Sequence, residues 1–226
     1  MLFRAAKPVS IFVCGAQKGG TTSLFAHFRD HPGLSHPAVK ELHFFDDEGE
    51  DWRNPDYRRL ESAFSRFDGN RPRYEMTPAT AFWPGALERL SKYNPRARLV
   101  FLLRDPIERA WSHWRMERAR GVEPLPFAQA IREGRDRIHQ GDDALRRHSY
   151  LERGLYAEQA ERALALFPRE QVLFLRSEDL ARDHRATLER IARFLGIAPF
   201  PEGPPRHEHR ATILAEAPSA ADRQWI

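Results

Sequence analysis

The sequence is poor in cysteine and in long apolar runs. Cys14 is the only cysteine among 226 residues, which excludes an intramolecular disulfide and a cysteine-based zinc cluster. The apolar run near the N-terminus is only about five residues long, too short for the hydrophobic region of a signal peptide, and no stretch approaches the roughly 20 apolar residues of a membrane span. We therefore expect a soluble, cytoplasmic protein without a membrane span.

Lysine is also scarce, with four lysines against 32 arginines. The formal net charge is +4, and the basic residues are scattered among 32 acidic ones rather than gathered into a tail or stripe. This pattern suits a small anionic ligand and does not indicate nucleic acid. Because arginine supplies most of the positive charge, we expect that Lys18, in a glycine-rich loop, is there for the compact charge of an ammonium group.

Apolar segments and helical patterns alternate along the chain. Short, continuously apolar segments predict buried parallel strands at 10–14, 99–103 and 171–175. Helical patterns separate them, at about 21–31, 79–93, 105–120, 126–139, 149–167 and 179–195. The alternation predicts an α/β fold with a parallel sheet covered on both faces.

The length suits one domain, which we place at 1–226. Near the C-terminus, Ser219 precedes Asp222 by three residues, the spacing of a helix N-terminus. Few residues follow this pair, which is consistent with a C-terminal helix truncated after about residue 219.

The segment "GAQKGGTTSL" (15–24) has the glycine spacing of a P-loop, between a strand and a helix. A P-loop would carry its lysine directly after the second glycine, but here the lysine lies three residues earlier, at Lys18. Backbone amides at a helix N-terminus bind anions, and hydroxyl groups add donors. We therefore predict a phosphate-binding loop with its ammonium at the crest, formed by Lys18, Gly19, Gly20, Thr21, Thr22 and Ser23.

The second strand ends without the carboxylate that a magnesium-dependent kinase requires there. It runs into Arg104, and Asp105 begins a helix as N-cap, with Pro106 at the first position and Glu108 at the third. We interpret Asp105 as a cap rather than a metal ligand. The sequence therefore predicts a cation-rich anion site with no metal ligands.

Three segments resemble, in order and spacing, the sulfotransferases that use 3′-phosphoadenosine 5′-phosphosulfate (PAPS), particularly the heparan-sulfate type and its bacterial relatives. They are "GAQKGGTTSL", "KELHFFD" (40–46) and "VFLLRDPIERAWSHW" (100–114), and the resemblance covers about residues 9–200. It implies a P-loop NTPase-like three-layer α/β/α fold with a central parallel sheet. It also implies transfer of a sulfuryl group from PAPS to a hydroxyl or amine of an acceptor, a small molecule or glycan, with 3′-phosphoadenosine 5′-phosphate (PAP) as product.

The resemblance also implies roles for individual residues. Lys18 would stabilise the leaving 5′-phosphate, and Glu41 would take the proton of the acceptor. Arg104 and Ser112 match the pair that holds the 3′-phosphate in the family. If the segment around Glu41 is extended, His43 shares its face and is the alternative base.

Other positions leave alternatives open. Tyr156 matches a family tyrosine near the nucleotide, with core packing as the alternative, and Met76 stands where some relatives have a lysine. We expect Arg109 to form a structural ion pair with Glu108 or a neighbouring carboxylate. The alternative functions are an ATP-dependent P-loop kinase and a non-catalytic module that binds nucleotides or polyanions. The oligomeric state cannot be deduced from these patterns.

Overall fold

The computed structural model describes residues 7–65, 69–206 and 217–225. Four parallel strands form one sheet in the order β2-β1-β3-β4. The strands are β1 (Ile11–Gly15), β2 (Tyr74–Glu75), β3 (Arg98–Leu103) and β4 (Val172–Arg176). The three predicted strands are confirmed to within one residue. β2 was not predicted, because two residues are too few to produce an apolar run.

The helices fall between and after the strands. They are α1 (Thr21–Arg29), α2 (Arg58–Glu61), α3 (Ala86–Tyr93), α4 (Pro106–Ala119), α5 (Phe127–Arg137), α6 (Asp142–His148), α7 (Tyr156–Leu166), α8 (Ser177–Arg182), α9 (His184–Leu195) and α10 (Ala220–Trp225). Short 3-10 turns cover Glu152–Gly154 and Arg169–Gln171. No helix in the described ranges is long and apolar enough to cross a membrane.

The two faces of the sheet carry separate apolar clusters. Phe12 and Phe101 lie in a cluster with residues of α3 and α7, whereas Val13 and Leu102 lie in a cluster with residues of α1 and α9. Neighbouring residues point to opposite faces because side chains alternate along a strand. Helices therefore cover both faces, and the predicted three-layer α/β/α fold is confirmed.

Several predicted helices differ from the observed ones. The helix predicted at 79–93 begins only at Ala86, because Gly85, with φ of 76°, caps it in the left-handed region after Pro84. The pattern at 179–195 divides into α8 and α9, because the Asp183 side chain accepts the Ala186 N–H at 3.0 Å and starts a new helix. The pattern at 149–167 is a 3-10 turn followed by α7.

Side-chain hydrogen bonds at the N-caps of α4 and α10 match the helix starts predicted from the sequence. Asp105 Oδ1 accepts the Glu108 N–H at 2.9 Å, which confirms the N-cap of α4. The Asp105 N–H donates to Glu178 Oε1 at 3.0 Å, so Glu178 takes the place that a capping box would give to Glu108. At α10, Ser219 Oγ accepts the Asp222 N–H at 3.1 Å and Asp222 Oδ2 accepts the Ser219 N–H at 3.0 Å.

Candidate active site

The glycine-rich loop and Arg104 lie at the same edge of the sheet, at the carboxyl ends of β1 and β3. The Ala16 N–H donates to the Leu102 carbonyl at 2.8 Å, which ties the loop to β3. The loop ends at Gly20, whose φ of 89° leads into α1 with no side-chain cap. Backbone amides of the first turn of α1 are thus left for an anion, as the sequence predicts.

Lys18 lies at the crest of this loop, with φ of 68°. Its Nζ lies 3.7 Å from Met116 Sδ on α4. Burial, together with the positive charges of Arg120, Arg104 and Lys40, lowers the pKa of Lys18 from its ordinary value. Among the described carboxylates, none lies within salt-bridge distance of the ammonium. The site therefore holds a cation that is available to an incoming anion.

Arg104 and Ser112 both border the loop. Arg104 Nη1 donates to the Lys18 carbonyl at 3.3 Å. Ser112 is half-buried on α4, four residues before Met116, whose sulfur contacts Lys18. Residues four apart share a helix face, so Ser112 lies on the face of α4 that meets the loop.

The segment 40–46 lies directly beside the loop. Lys40 Nζ donates to Thr22 Oγ1 at 3.1 Å and to Glu41 Oε1 at 2.5 Å. Glu41 Oε2 lies 3.4 Å from His43 Nε2. The two residues meet as predicted, although the segment is not extended at His43, where φ is 49°. One lysine thus links a loop hydroxyl to the Glu41–His43 pair.

Asp46 and Arg146 complete this network. His43 Nδ1 lies 2.8 Å from Asp46 Oδ2, and Arg146 Nη1 donates to the same oxygen at 2.6 Å. Asp46 belongs to the "KELHFFD" segment, so the motif itself could have indicated it. Arg146 lies on α6, a hundred positions along the chain, and no sequence signal connects the two.

The pKa values of Glu41 and His43 are shifted in opposite directions. Burial alone would raise the pKa of Glu41, but hydrogen bonds and charges from His43 and Lys40 outweigh it and lower the pKa to about 2. Hydrogen bonds to Asp46 and Glu41 raise the pKa of His43 to about 9, against the effect of burial. At neutral pH Glu41 is therefore a carboxylate that can accept a proton, and His43 is an imidazolium that cannot.

Two buried arginines lie near these residues and were not predicted as part of the site. Arg109 Nη2 donates to the Tyr150 carbonyl, and Arg153 Nη2 donates to the Arg146 carbonyl at 3.3 Å. Burial lowers the pKa of Arg109 to about 10 and that of Arg153 to about 9. In the described part of the chain, Nε and Nη1 of both guanidinium groups have no hydrogen-bond partner.

The predicted ion pair of Arg109 with Glu108 or a neighbouring carboxylate is wrong, because no carboxylate of the described residues lies within salt-bridge distance of Arg109. Arg109 is fully buried, whereas Glu108 Oε1 accepts from Arg223 Nη2 at 3.0 Å on the surface of α4. Met76 is also fully buried, in the apolar cluster beneath α1. The position that matches a lysine in some relatives therefore faces the core in this protein.

The described residues contain no group of three or more His, Cys, Asp or Glu side chains that could hold a metal ion. Cations and backbone amides instead make up the loop and its surroundings. The family model for the sulfotransferase domain matches residues 8–214. The chain belongs to the sulfotransferase family. The family consists of enzymes that take a sulfuryl group from PAPS.

Two curated relatives act on heparan sulfate, according to their names. This sulfotransferase is 30% identical over 190 residues to heparan sulfate glucosamine 3-O-sulfotransferase 6 of Mus musculus, covering 82% of this chain and 51% of that protein. It is 28% identical over 200 residues to bifunctional heparan sulfate N-deacetylase/N-sulfotransferase 2 of Homo sapiens, covering 83% and 22%. The chain thus spans about half the length of the first relative and less of the second.

A solved structure supports the same assignment. The sulfotransferase from Alicyclobacillus acidocaldarius superposes with a TM-score of 0.79 at 28% identity, covering 98% of this chain and 90% of that one. This agreement extends over nearly the whole length of both chains, and it matches the three-layer fold described above.

Gly19→Ala is expected to weaken PAP binding by about tenfold or more, because a side chain there forces the loop away from β3. A Cβ at Gly19 would lie 2.4 Å from the Leu102 carbonyl oxygen and 2.9 Å from that of Ala16, and both atoms belong to the backbone. Isothermal titration with PAP measures the effect. Gly203→Ala is the control, since a Cβ there meets no atom within 4 Å. Equal affinities for PAP in the two variants would contradict the prediction.

Proposed function

We propose that this sulfotransferase moves the sulfuryl group of PAPS to a hydroxyl or amine of a carbohydrate acceptor, with Lys18 at the leaving phosphate and Glu41 as base. One observation carries the proposal: Lys40 bonds both Thr22 of the anion loop and Glu41. The group that would bind the donor and the group that would activate the acceptor therefore lie within reach of a single side chain.

The donor half consists of the loop and the start of α4. The Gly20 amide and the hydroxyls of Thr21, Thr22 and Ser23 would bind the 5′-phosphosulfate. The Gly19 N–H donates to the Ala16 carbonyl at 2.8 Å, so Gly19 would shape the loop that surrounds this group. Arg104 and Ser112 border the loop and would bind the 3′-phosphate. The Lys18 ammonium would stabilise negative charge on the phosphate oxygen as the sulfur–oxygen bond breaks.

The acceptor half consists of Glu41 and the groups that pair with it. The acceptor oxygen or nitrogen forms a bond to sulfur, the bond from sulfur to the 5′-phosphate oxygen breaks with its electron pair on the phosphate, and Glu41 receives the acceptor proton. His43, held as an imidazolium by Asp46, would orient the Glu41 carboxylate. A sulfuryl group carries less negative charge than a phosphoryl group, so an ammonium and oriented amides can stabilise its transfer.

A carbohydrate acceptor is supported by the names of the curated relatives, one an O-sulfotransferase and one an N-sulfotransferase of heparan sulfate. Family membership favours sulfuryl transfer over the alternatives of a P-loop kinase and a non-catalytic module.

PAP at 100 times its Kd is expected to stabilise the protein by about 2.7 kcal/mol, a shift of a few degrees in Tm for a chain of this size. ATP with magnesium at the same concentration is expected to give a smaller shift, since the described residues offer no carboxylate cluster for the metal. Differential scanning fluorimetry measures both shifts.

Transfer is then assayed with labelled PAPS on glucosaminides that offer either a free amine or only hydroxyl groups, which separates N-sulfation from O-sulfation. A larger shift with ATP and magnesium would favour the kinase. Tight PAP binding with no transfer to any acceptor would favour the non-catalytic module.

A further inference from the structure

Glu75, at the end of β2, is a carboxylate buried at 2% exposure. Its Oε1 accepts the Leu42 N–H at 3.3 Å and the hydroxyl of Thr77, and its Oε2 accepts the Thr77 N–H at 3.2 Å. In the described part of the structure, no lysine, arginine or histidine lies within salt-bridge distance of it. Three hydrogen-bond donors therefore hold this carboxylate, and no positively charged side chain of the described residues contacts it.

Thr77 extends these bonds to the next residue of the catalytic segment. Its Oγ1 accepts the His43 N–H at 3.2 Å while its hydroxyl hydrogen is directed to Glu75. The backbone N–H groups of Leu42 and His43, the two residues after Glu41, therefore donate to Glu75 and to Thr77, respectively. His43 has φ of 49°, a conformation that is uncommon for a residue with a side chain and persists where surrounding bonds hold it.

A purely structural role does not account for a carboxylate at this position. Burying a carboxylate without a cation costs folding free energy, and an apolar side chain would fill the same space at a smaller cost. Tyr74 and Met76, on either side of Glu75, fill the apolar cluster beneath α1, as alternation along a strand requires. Glu75 and Thr77 are thus the residues of this segment that turn polar groups toward residues 41–43.

We propose that Glu75 and Thr77 are positioning residues that hold Glu41 and His43 in their reactive arrangement through the backbone amides of Leu42 and His43. This inference rests on the proposed role of Glu41 as base. Neither Glu75 nor Thr77 touches the reacting atoms, so both act on the rate of transfer through the orientation of the segment rather than on donor binding.

Burial raises the pKa of Glu75 to about 7, although the bonds from Thr77 and Leu42 oppose it. Asp46 raises this pKa further and His43 lowers it. The charge of Glu75 in turn adds to the effect of burial in raising the pKa of the Cys14 thiol on β1. Assays are therefore run at least one pH unit above the pKa of Glu75, where this carboxylate is ionised.

The test compares Glu75→Gln, Thr77→Val and Thr77→Ser. Glu75→Gln replaces one of the two acceptor oxygens with an NH₂ group, which then opposes the N–H of either Leu42 or Thr77. Thr77→Val removes the acceptor of the His43 N–H. Each is expected to lower kcat by about 10- to 100-fold, the cost of a small misplacement of reacting groups, with KM for PAPS changed by less than about twofold. Thr77→Ser keeps the hydroxyl and is expected to retain kcat within about threefold of wild type.

Glu123→Gln is the control for loss of a buried carboxylate. Glu123 accepts the Tyr150 hydroxyl at 2.8 Å and the Leu125 N–H at 3.0 Å and pairs with Arg137 at 3.0 Å, and none of these partners belongs to the 41–43 segment. Its replacement is expected to lower Tm while leaving kcat per folded molecule unchanged. A lower kcat in Glu75→Gln but not in Glu123→Gln therefore separates positioning from general loss of stability.

The double variant Glu41→Gln/Glu75→Gln completes the test, because two residues that act through one group are not additive. It is expected to be no slower than Glu41→Gln alone. The inference would be overturned if the double variant lost kcat by the product of the two single losses. Unchanged kcat in Glu75→Gln, or equal kcat in Thr77→Val and Thr77→Ser, would also overturn it. Unchanged kcat in Glu41→Gln would instead overturn the proposed base. If Glu75→Gln does not fold, the Thr77 pair alone decides the question.

Discussion

Lys18→Ala is expected to lower kcat at saturating PAPS by about 10²-fold or more, the range for removing one donor that stabilises the transition state. The ammonium has no carboxylate within salt-bridge distance in the described ranges, and burial together with neighbouring positive charges lowers its pKa. Such a cation gains most from negative charge that develops on the leaving phosphate. We therefore expect the loss in kcat to exceed any loss in affinity for PAPS.

Single-turnover transfer of labelled sulfate, measured with PAPS well above its KM, isolates this effect. Lys92→Ala is the matched control, because Lys92 is an exposed lysine on α3, and we expect it to leave kcat unchanged. A Lys18→Ala enzyme with wild-type kcat would show that the ammonium is not at the bond that breaks.

Glu41→Gln is expected to lower kcat by about 10²- to 10⁴-fold, the contribution of a positioned general base. Gln keeps the size of the side chain but cannot accept the proton. His43→Ala is expected to lower kcat less, because His43 is an imidazolium in the free protein, with a pKa of about 9. Its loss removes a partner of Glu41 but not the base itself.

The pH dependence of kcat/KM in the wild-type enzyme separates the two candidates. Glu41, with a pKa of about 2, is already ionised, so kcat/KM is not expected to rise in the last pH unit below about 9. It is expected to fall slightly there, as His43 begins to lose the proton with which it orients Glu41. If His43 were the base, kcat/KM would rise about fivefold over that unit as the imidazolium lost its proton. A rise that disappears in His43→Ala would reverse the assignment.

Only part of the catalytic segment could be predicted from sequence. Glu41 and His43 were both identified, but period-two spacing left either as the base. The structure gives them different surroundings, because Lys40 lies against Glu41 and the buried Asp46 lies against His43. Contacts from Arg146 and from the Glu75–Thr77 pair were not predicted, because these residues meet the segment only after folding brings distant positions together.

The roles of Lys18, Glu41, Arg104 and Ser112, the single domain at 1–226 and the cytoplasmic location all stay predictions. The described residues confirm the strands, the loop geometry and the N-caps. They correct the helix limits and the partner of Arg109.

The sequence by itself determined the three main strands, the glycine-rich loop between β1 and α1, and the starts of α4 and α10. These features depend on apolar runs, glycine spacing and hydrogen bonds between residues at most a few positions apart, so the local order of residues suffices. Only the tertiary structure decided which residue of the Glu41–His43 pair carries the proton and which buried groups hold that pair. Burial and the backbone bend at His43 decide which charges of the 40–46 segment meet, and Glu75, Thr77 and Arg146 hold the segment from positions far along the chain. No local pattern records either.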